Sequence, residues 1–181
     1  MKALVLTYTG YQDQEVIYPY YRLQGENFEV HLISDKKDSL GRTYGIFGVN
    51  MPCDSTYENF DSQEDYFLDT FDILILPGGV KSLEKLRQKK EVISFIKKWD
   101  RQEKVIGSTC HGAQLLISAK IVKGRLISGY YSIEDDIVNA GGTYSREPFV
   151  TDRNIVSSPH YDHMGPWMEE VIKVARQRNF L

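Results

Sequence analysis

The strongest chemical signal in the chain is a cysteine beside a histidine at the end of a short apolar run. Residues 105–109 have the pattern of a buried strand, residues 109–112 break it, and a helix is predicted from Ala113. This spacing places Cys110 on a strand-to-helix turn, the geometry of a nucleophile elbow. Unpaired backbone N–H groups and the helix dipole both favour an anion there, so the sequence predicts a lowered pKa for the Cys110 thiol. The alternative is an inert cysteine at the end of a core strand.

A glycine pair follows a second apolar run. Residues 71–76 are predicted to form a buried strand that ends at Pro77, and Gly78 and Gly79 come next. Glycines at the carboxyl end of a parallel strand allow a positive φ or a close approach to a ligand, and open α/β sheets place their sites at this edge. A plain tight turn is the alternative.

Strand and helix patterns alternate along the chain. Strands are predicted at 3–8, 28–34, 43–49, 71–76, 105–109, 143–145, 149–151 and 155–158, and helices at 13–23, 83–99, from 113, 132–140 and 167–178. This order predicts a parallel sheet between two helical layers. The polar tract 52–65 gives no clear element, and its Cys53 has neither a base nor a helix start beside it, so we interpret that thiol as incidental.

Composition limits the class of protein. The 181 residues, 41% of them hydrophobic, predict one domain over residues 1–181. The net charge of −3 comes from interspersed charges and favours neither nucleic acid nor a membrane surface as a partner. No apolar run approaches the roughly 20 residues that cross a bilayer. The two cysteines lack metal-ligand spacing and a disulfide framework, which predicts no metal and a cytoplasmic location.

Several motifs together resemble the ThiJ/PfpI superfamily over essentially the whole length. They are residues 10–15, 76–79, 110–116, 123–125, 135–141 and 154–158. The Cys-His-Gly turn with the later Lys-Gly-Arg and Asp-Asp-x-x-Asn-Ala-Gly motifs is most similar to the PfpI branch, described in relatives as intracellular proteases. The resemblance implies an α/β fold: a flavodoxin-like three-layer sandwich with a mostly parallel central sheet and a nucleophile elbow.

The resemblance also implies roles for individual residues. Cys110 matches the family nucleophile, and Glu15 matches the acid beside its sulfur. Such a carboxyl group hydrogen-bonds a thiolate only when protonated, which requires a raised pKa. Gly79 and the backbone N–H of His111 match the oxyanion-hole positions. Tyr130 falls where relatives have an active-site tyrosine.

A third catalytic group is implied from a second subunit. In the PfpI branch the histidine equivalent to His111 completes a Cys-His-Glu triad with a neighbouring subunit's glutamate, and Glu84 is its best match here, with one extra residue before it. The alternative is a capping acid at the start of the predicted helix 83–99. A homodimer and a homohexamer are both implied. His160 and Asp162 resemble a shortened form of the amidotransferase His-x-Glu pair, but a surface loop that carries two histidines, His160 and His163, is the favoured interpretation.

The implied function is a cofactor-free, cysteine-dependent enzyme acting on carbonyl compounds. Glyoxalase- or deglycase-like handling of methylglyoxal-type aldehydes in stress protection is the first expectation. Two others stay open: a PfpI-type cysteine peptidase acting on peptides, and a non-enzymatic stress chaperone or redox sensor in which Cys110 is oxidised. All three use the same thiol, so the sequence does not separate them.

Overall fold

Within residues 1–178, which the computed structural model describes, the chain forms eleven strands and seven α-helices. The strands are β1 (Lys2–Leu6), β2 (Glu29–Ser34), β3 (Arg42–Tyr44), β4 (Asn50–Pro52), β5 (Ser55–Thr56), β6 (Ile73–Leu76), β7 (Val105–Thr109), β8 (Leu126–Ile127), β9 (Thr143–Tyr144), β10 (Val150–Asp152) and β11 (Ile155–Ser158). The helices are α1 (Asp13–Gly25), α2 (Phe60–Thr70), α3 (Val80–Leu86), α4 (Lys90–Arg101), α5 (Ala113–Ser118), α6 (Glu134–Asn139) and α7 (Met164–Arg178).

Seven of these strands form the central sheet, in the order β10-β11-β7-β6-β1-β2-β5. Every pair is parallel except the edge strand β10, which runs antiparallel to β11. The carboxyl ends of β1, β6 and β7 therefore meet at one edge of the sheet, and the three chain segments that follow them come together there.

Helices cover both faces of the sheet. In β1, Ala3 and Val5 belong to one buried cluster with α1 and α7, while Leu4 and Leu6 belong to another with α2 to α6. A strand buried on both sides has the near-continuous apolar run seen in the sequence. This arrangement confirms the predicted three-layer α/β fold with a mostly parallel sheet.

The segment between β2 and β6 differs from its prediction. The strand expected at 43–49 is a short hairpin instead, with β3 antiparallel to β4 and residues 45–49 as the loop between them. The polar tract ends in helix α2, whose buried positions Phe60, Phe67 and Leu68 belong to one apolar cluster with α4, where Phe60 contacts Phe95. Three buried positions in eleven residues give too weak a periodicity to show this helix in the sequence.

The single helix expected at 83–99 is two helices. Helix α3 ends at Leu86 and α4 begins at Lys90. A continuous apolar stripe would need buried residues near 89 and 90, but both positions are lysine. The helix expected at 132–140 likewise begins as a 3-10 turn, and α6 starts at Glu134 without a side-chain cap.

No helix among residues 1–178 is both long and apolar enough to cross a membrane.

Candidate active site

The strand-to-helix turn that carries Cys110 has the tight geometry expected of an elbow. Strand β7 ends at Thr109, a 3-10 turn covers Cys110–Gly112, and α5 follows. Cys110 has φ 55°, a left-handed conformation that is uncommon outside glycine and stores strain. A β-carbon at Gly112 would lie 2.2 Å from the carbonyl oxygen of Leu76, so only glycine fits beside the end of β6. The structure thus places the thiol at the carboxyl edge of the sheet, as predicted.

Glu15 lies beside this thiol. It belongs to the first turn of α1, is 0% exposed, and its Oε2 accepts the backbone N–H of Gly78 at 2.6 Å. A β-carbon at Gly78 would come within 2.4 Å of Glu15 Oε2 and 3.2 Å of Cys110 Sγ, which shows that both groups crowd the same glycine. The other carboxyl oxygen, Oε1, has no hydrogen-bond partner among the described residues. A fully buried carboxyl group that crowds the same glycine as the thiol is placed to exchange a proton with it.

Burial changes the proton affinity of Glu15. It raises the pKa of the carboxyl group to about 7, and hydrogen bonds from Gly78 and Cys110 oppose part of that rise. Near neutral pH the carboxyl group therefore exists in both protonation states. This is the condition that a proton donor to a thiolate must meet.

The sequence-based expectation of a lowered pKa for Cys110 is wrong in sign. Burial is the main cause that raises the pKa of the thiol, and the negative charge of ionised Glu15 raises it further. The helix dipole cannot offset these effects, because α5 has six residues and begins three residues after the cysteine. Attack by Cys110 therefore requires that its proton move to a nearby base.

Two backbone N–H groups converge on the sulfur. Those of His111 and Gly79 both lower the pKa of Cys110 by hydrogen bonding. Gly79 has φ 106°, and a β-carbon there would lie 2.6 Å from the backbone nitrogen of Gln12, so its backbone reaches this position only as glycine. The pair predicted from the resemblance as an oxyanion hole is thus brought to the thiol by two separate strands, β6 and β7.

His111 is the nearest nitrogen base. Its Nδ1 lies 3.3 Å from Cys110 Sγ, and burial lowers the pKa of the imidazole, which keeps it neutral at neutral pH. The ring stacks on Tyr130 with centroids 4.7 Å apart and planes at 28°. Tyr130 is also tied to the elbow, since its backbone N–H donates to the carbonyl of Cys110 at 3.0 Å. A neutral, stacked imidazole in this position can accept the thiol proton.

Glu84 does not join this group within its own chain. It lies on an exposed part of α3, away from the pocket that holds the thiol. The alternative role, a capping acid at a helix start, is wrong because α3 begins at Val80 and Glu84 falls in its second half. Its reach into a second subunit's site stays a prediction.

The thiol opens into a pocket of about 470 Å³. Besides Glu15, Gly79, Cys110, His111 and Tyr130, its lining includes Gln12, Ile46, Phe47, Val80, Lys81, His160 and Tyr161. His160 was expected on a surface loop, but its ring packs 3.9 Å from that of Tyr161 and its Nδ1 lies 3.1 Å from Asp162 Oδ2. The structure therefore adds this histidine to the site, whereas His163 is not part of the lining.

Asp13 binds the loop 45–49, which forms a pocket wall that the sequence analysis did not predict. Its Oδ2 accepts the N–H of Phe47 and its Oδ1 that of Val49, each at 2.9 Å. A β-carbon at Gly45 would lie 2.3 Å from Asp13 Oδ1, so the loop needs a glycine to wrap this carboxylate. The side chain of Phe47 is left 74% exposed at the pocket rim. The apolar pair at 46–47 between two glycines was the available sequence signal.

Comparisons with known proteins identify the family of this chain. Residues 1–174 match the model of the DJ-1/PfpI family, and the chain belongs to that family. It is 36% identical over 176 residues to Deglycase PfpI of Pyrococcus furiosus, covering 97% of this chain and 100% of that protein. YraA of Bacillus subtilis, whose name contains the words cysteine protease, is 28% identical over 175 residues, covering 97% and 98%.

A solved structure supports the fold itself. Schizosaccharomyces pombe DJ-1 superposes with a TM-score of 0.86 at 18% identity, covering 96% of this chain and 90% of that chain.

Proposed function

We propose that the chain is a cofactor-free enzyme that converts methylglyoxal-type 2-oxoaldehydes into hydroxy acids, a glyoxalase- or deglycase-like activity in stress protection. One relative is named a deglycase, and the name of another contains the words cysteine protease. Both names support the proposal that this member of the DJ-1/PfpI family is an enzyme. The observation that carries the proposal is the meeting of three groups at one pocket: a thiol, two backbone N–H donors and a carboxyl group with a pKa of about 7.

The first step forms a carbon–sulfur bond. Cys110 gives its proton to the Glu15 carboxylate or to His111 Nδ1, and its sulfur adds to the aldehyde carbon. The carbonyl oxygen gains negative charge as the bond forms, and the N–H groups of Gly79 and His111 stabilise it. Protonation of this oxygen gives a thiohemiacetal.

The second step moves a proton between adjacent carbons. The former aldehyde carbon loses its proton to Glu15 or His111, and the neighbouring carbonyl carbon is protonated through an enediol, leaving a hydroxyacyl thioester on Cys110. Water then cleaves the carbon–sulfur bond, releases the hydroxy acid and restores the thiol. One aldehyde and one water give one hydroxy acid, so neither an oxidant nor a reductant is consumed.

The test is lactate formation from methylglyoxal with no glutathione present. We expect turnover by the wild type and a loss of about a thousandfold or more in Cys110→Ser, because the hydroxyl group is a far weaker nucleophile. Cys53→Ser is the matched control and should keep its activity, since Cys53 is buried outside the pocket. If neither wild type nor the control forms lactate, the proposed reaction is wrong.

A peptidase is the second candidate, and a groove next to the pocket favours it. An apolar groove of about 480 Å³ runs along α1, lined by Tyr18, Tyr21 and Met164, and it shares Tyr161 with the thiol pocket. A substrate spanning both would be longer than a small aldehyde. Cleavage of fluorogenic peptides by wild type, lost in Cys110→Ser, would favour this candidate over the aldehyde reaction.

A further inference from the structure

A single lysine gives the thiol pocket a fixed positive charge. Lys81 lies in the first turn of α3, two residues after Gly79, and lines the pocket beside Val80. A β-carbon built at Gly10 would lie 3.7 Å from Lys81 Cβ, so the side chain of Lys81 begins next to the loop that follows β1. Among residues 1–178, Lys81 makes no salt bridge and no side-chain hydrogen bond.

The other ionisable groups of the pocket do not neutralise this charge from within. Glu15 is fully buried beneath the thiol and is largely protonated below pH 7. His111 is kept neutral by burial. His160 is paired with Asp162, whose side chain is mostly exposed outside the pocket lining. Below pH 7 the pocket therefore presents a cation that is not paired with a counter-ion among the described residues.

The pocket is also larger than a three-carbon aldehyde needs. About 470 Å³ lies within the range of pockets that enclose drug-sized ligands. Ile46, Phe47 and Val80 make one part of its wall apolar. A ligand that fills it would place an apolar body against these side chains and an anionic group at Lys81, whose exposed side chain would form a solvent-screened ion pair with it.

We propose that this pocket selects carbonyl substrates that carry a carboxylate, with Lys81 as the residue that binds it. The proposal rests on the proposed function for the identity of the reacting carbonyl, and Lys81 acts as a specificity-determining residue apart from the bond-making groups. The carboxylate pairs with the ammonium group while the aldehyde carbon meets Cys110.

The first experiment compares two substrates that differ by one carboxylate. We expect the wild type to have a higher kcat/KM for 4-carboxyphenylglyoxal than for phenylglyoxal, and Lys81→Met to lower that ratio about threefold, the size expected for one solvent-exposed ion pair. Lys81→Arg should keep most of the preference. Lys85→Met is the matched control, because Lys85 is exposed on the same helix and does not line the pocket. An unchanged ratio in Lys81→Met would overturn the proposal.

The second experiment requires no turnover. Iodoacetate and iodoacetamide alkylate the same thiol and differ in charge, so the ratio of their rates at Cys110 reports the local anion preference. We expect Lys81→Met to lower the iodoacetate rate relative to iodoacetamide severalfold, with Lys85→Met unchanged. The iodoacetamide rate also shows that each variant keeps the folded site.

The two experiments separate the two proposals. A Lys81-dependent alkylation ratio without aldehyde turnover would leave the anion site standing and would contradict the proposed reaction. Aldehyde turnover with no dependence of either ratio on Lys81 would support the proposed reaction and contradict the anion site.

Discussion

The two cysteines of this chain are buried to almost the same extent, yet their surroundings differ in every respect that matters for catalysis. Cys53 is 5% exposed and Cys110 is 7% exposed, and burial raises the pKa of both thiols. Cys53 donates to the carbonyl of Ser55 at 3.2 Å, between β4 and β5. Cys110 instead has a left-handed backbone, two N–H groups at its sulfur, an adjacent imidazole and an adjacent carboxyl group.

This comparison shows that burial and the direction of a pKa shift do not identify a nucleophile. Both thiols are held protonated by their surroundings, and only Cys110 has a base within reach and a pocket in front of it. What distinguishes a reactive cysteine here is the convergence of proton acceptors and backbone donors from three segments of the chain.

The largest effect is expected where the backbone is tightest. Gly112→Ala would place a β-carbon 2.2 Å from the carbonyl oxygen of Leu76, so the elbow must shift, at a cost of about 3 kcal/mol in unfolding free energy. Gly41→Ala, at the glycine whose carbonyl accepts the N–H of Cys53, meets open space and a φ of 73°, which costs about 1 kcal/mol. Urea unfolding of both variants measures the two costs, and equal losses would contradict this account of the elbow.

A pH-dependent effect of similar size is expected at Glu15. Its pKa is about 7 when folded and near 4.5 as an ordinary carboxyl group, so between these values the folded protein keeps a proton that the unfolded chain has released. Folding stability therefore falls as the pH rises through this window, by about 3 kcal/mol. Glu15→Gln removes this loss, so its unfolding free energy relative to wild type should rise between pH 4.5 and pH 8.

Cys53→Ser provides the control for that measurement. Below pH 8 its thiol is protonated in both the folded and the unfolded chain, so its difference from wild type should be the same at both pH values. A Glu15→Gln difference that also stays constant would show that the carboxyl group has an ordinary pKa in the folded protein.

The smallest effect, about tenfold, is expected in the alkylation rates of the two thiols. Iodoacetamide should modify Cys110 faster than Cys53 in the folded protein at pH 8, because the first opens into a pocket and the second is enclosed by the core. Peptide mass spectrometry of a time course measures both rates in one sample. Faster modification of Cys53 would remove the basis for treating it as the inert member of the pair.

The sequence predicted the parts of the site that depend on local pattern. The apolar run of β7 and the turn at Cys110 were located correctly, because buried parallel strands and glycine turns have strong local signals. The glycine turn after β6 was located for the same reason. The family resemblance supplied Glu15, which local pattern alone would have assigned to the helix dipole.

The features of the site that the sequence predicted wrongly or missed depend on contacts between distant segments. The pKa of Cys110 depends on a carboxyl group in the first helix and on the depth of burial, and neither can be computed from the residues around the cysteine. The pocket wall at Ile46 and Phe47 exists because Asp13 binds the loop backbone. Single-sequence periodicity carries no information about such a pairing.

The position of Asp13 has one more consequence. Asp13 and Glu15 stand in the same turn of α1, the first fastened to the loop 45–49 and the second to Gly78 beneath the thiol. The pocket wall and the carboxyl group of Glu15 are thus both held by the first turn of α1. Moving that wall outward requires either breaking both hydrogen bonds to Asp13 or shifting the turn that also carries the carboxyl group of Glu15.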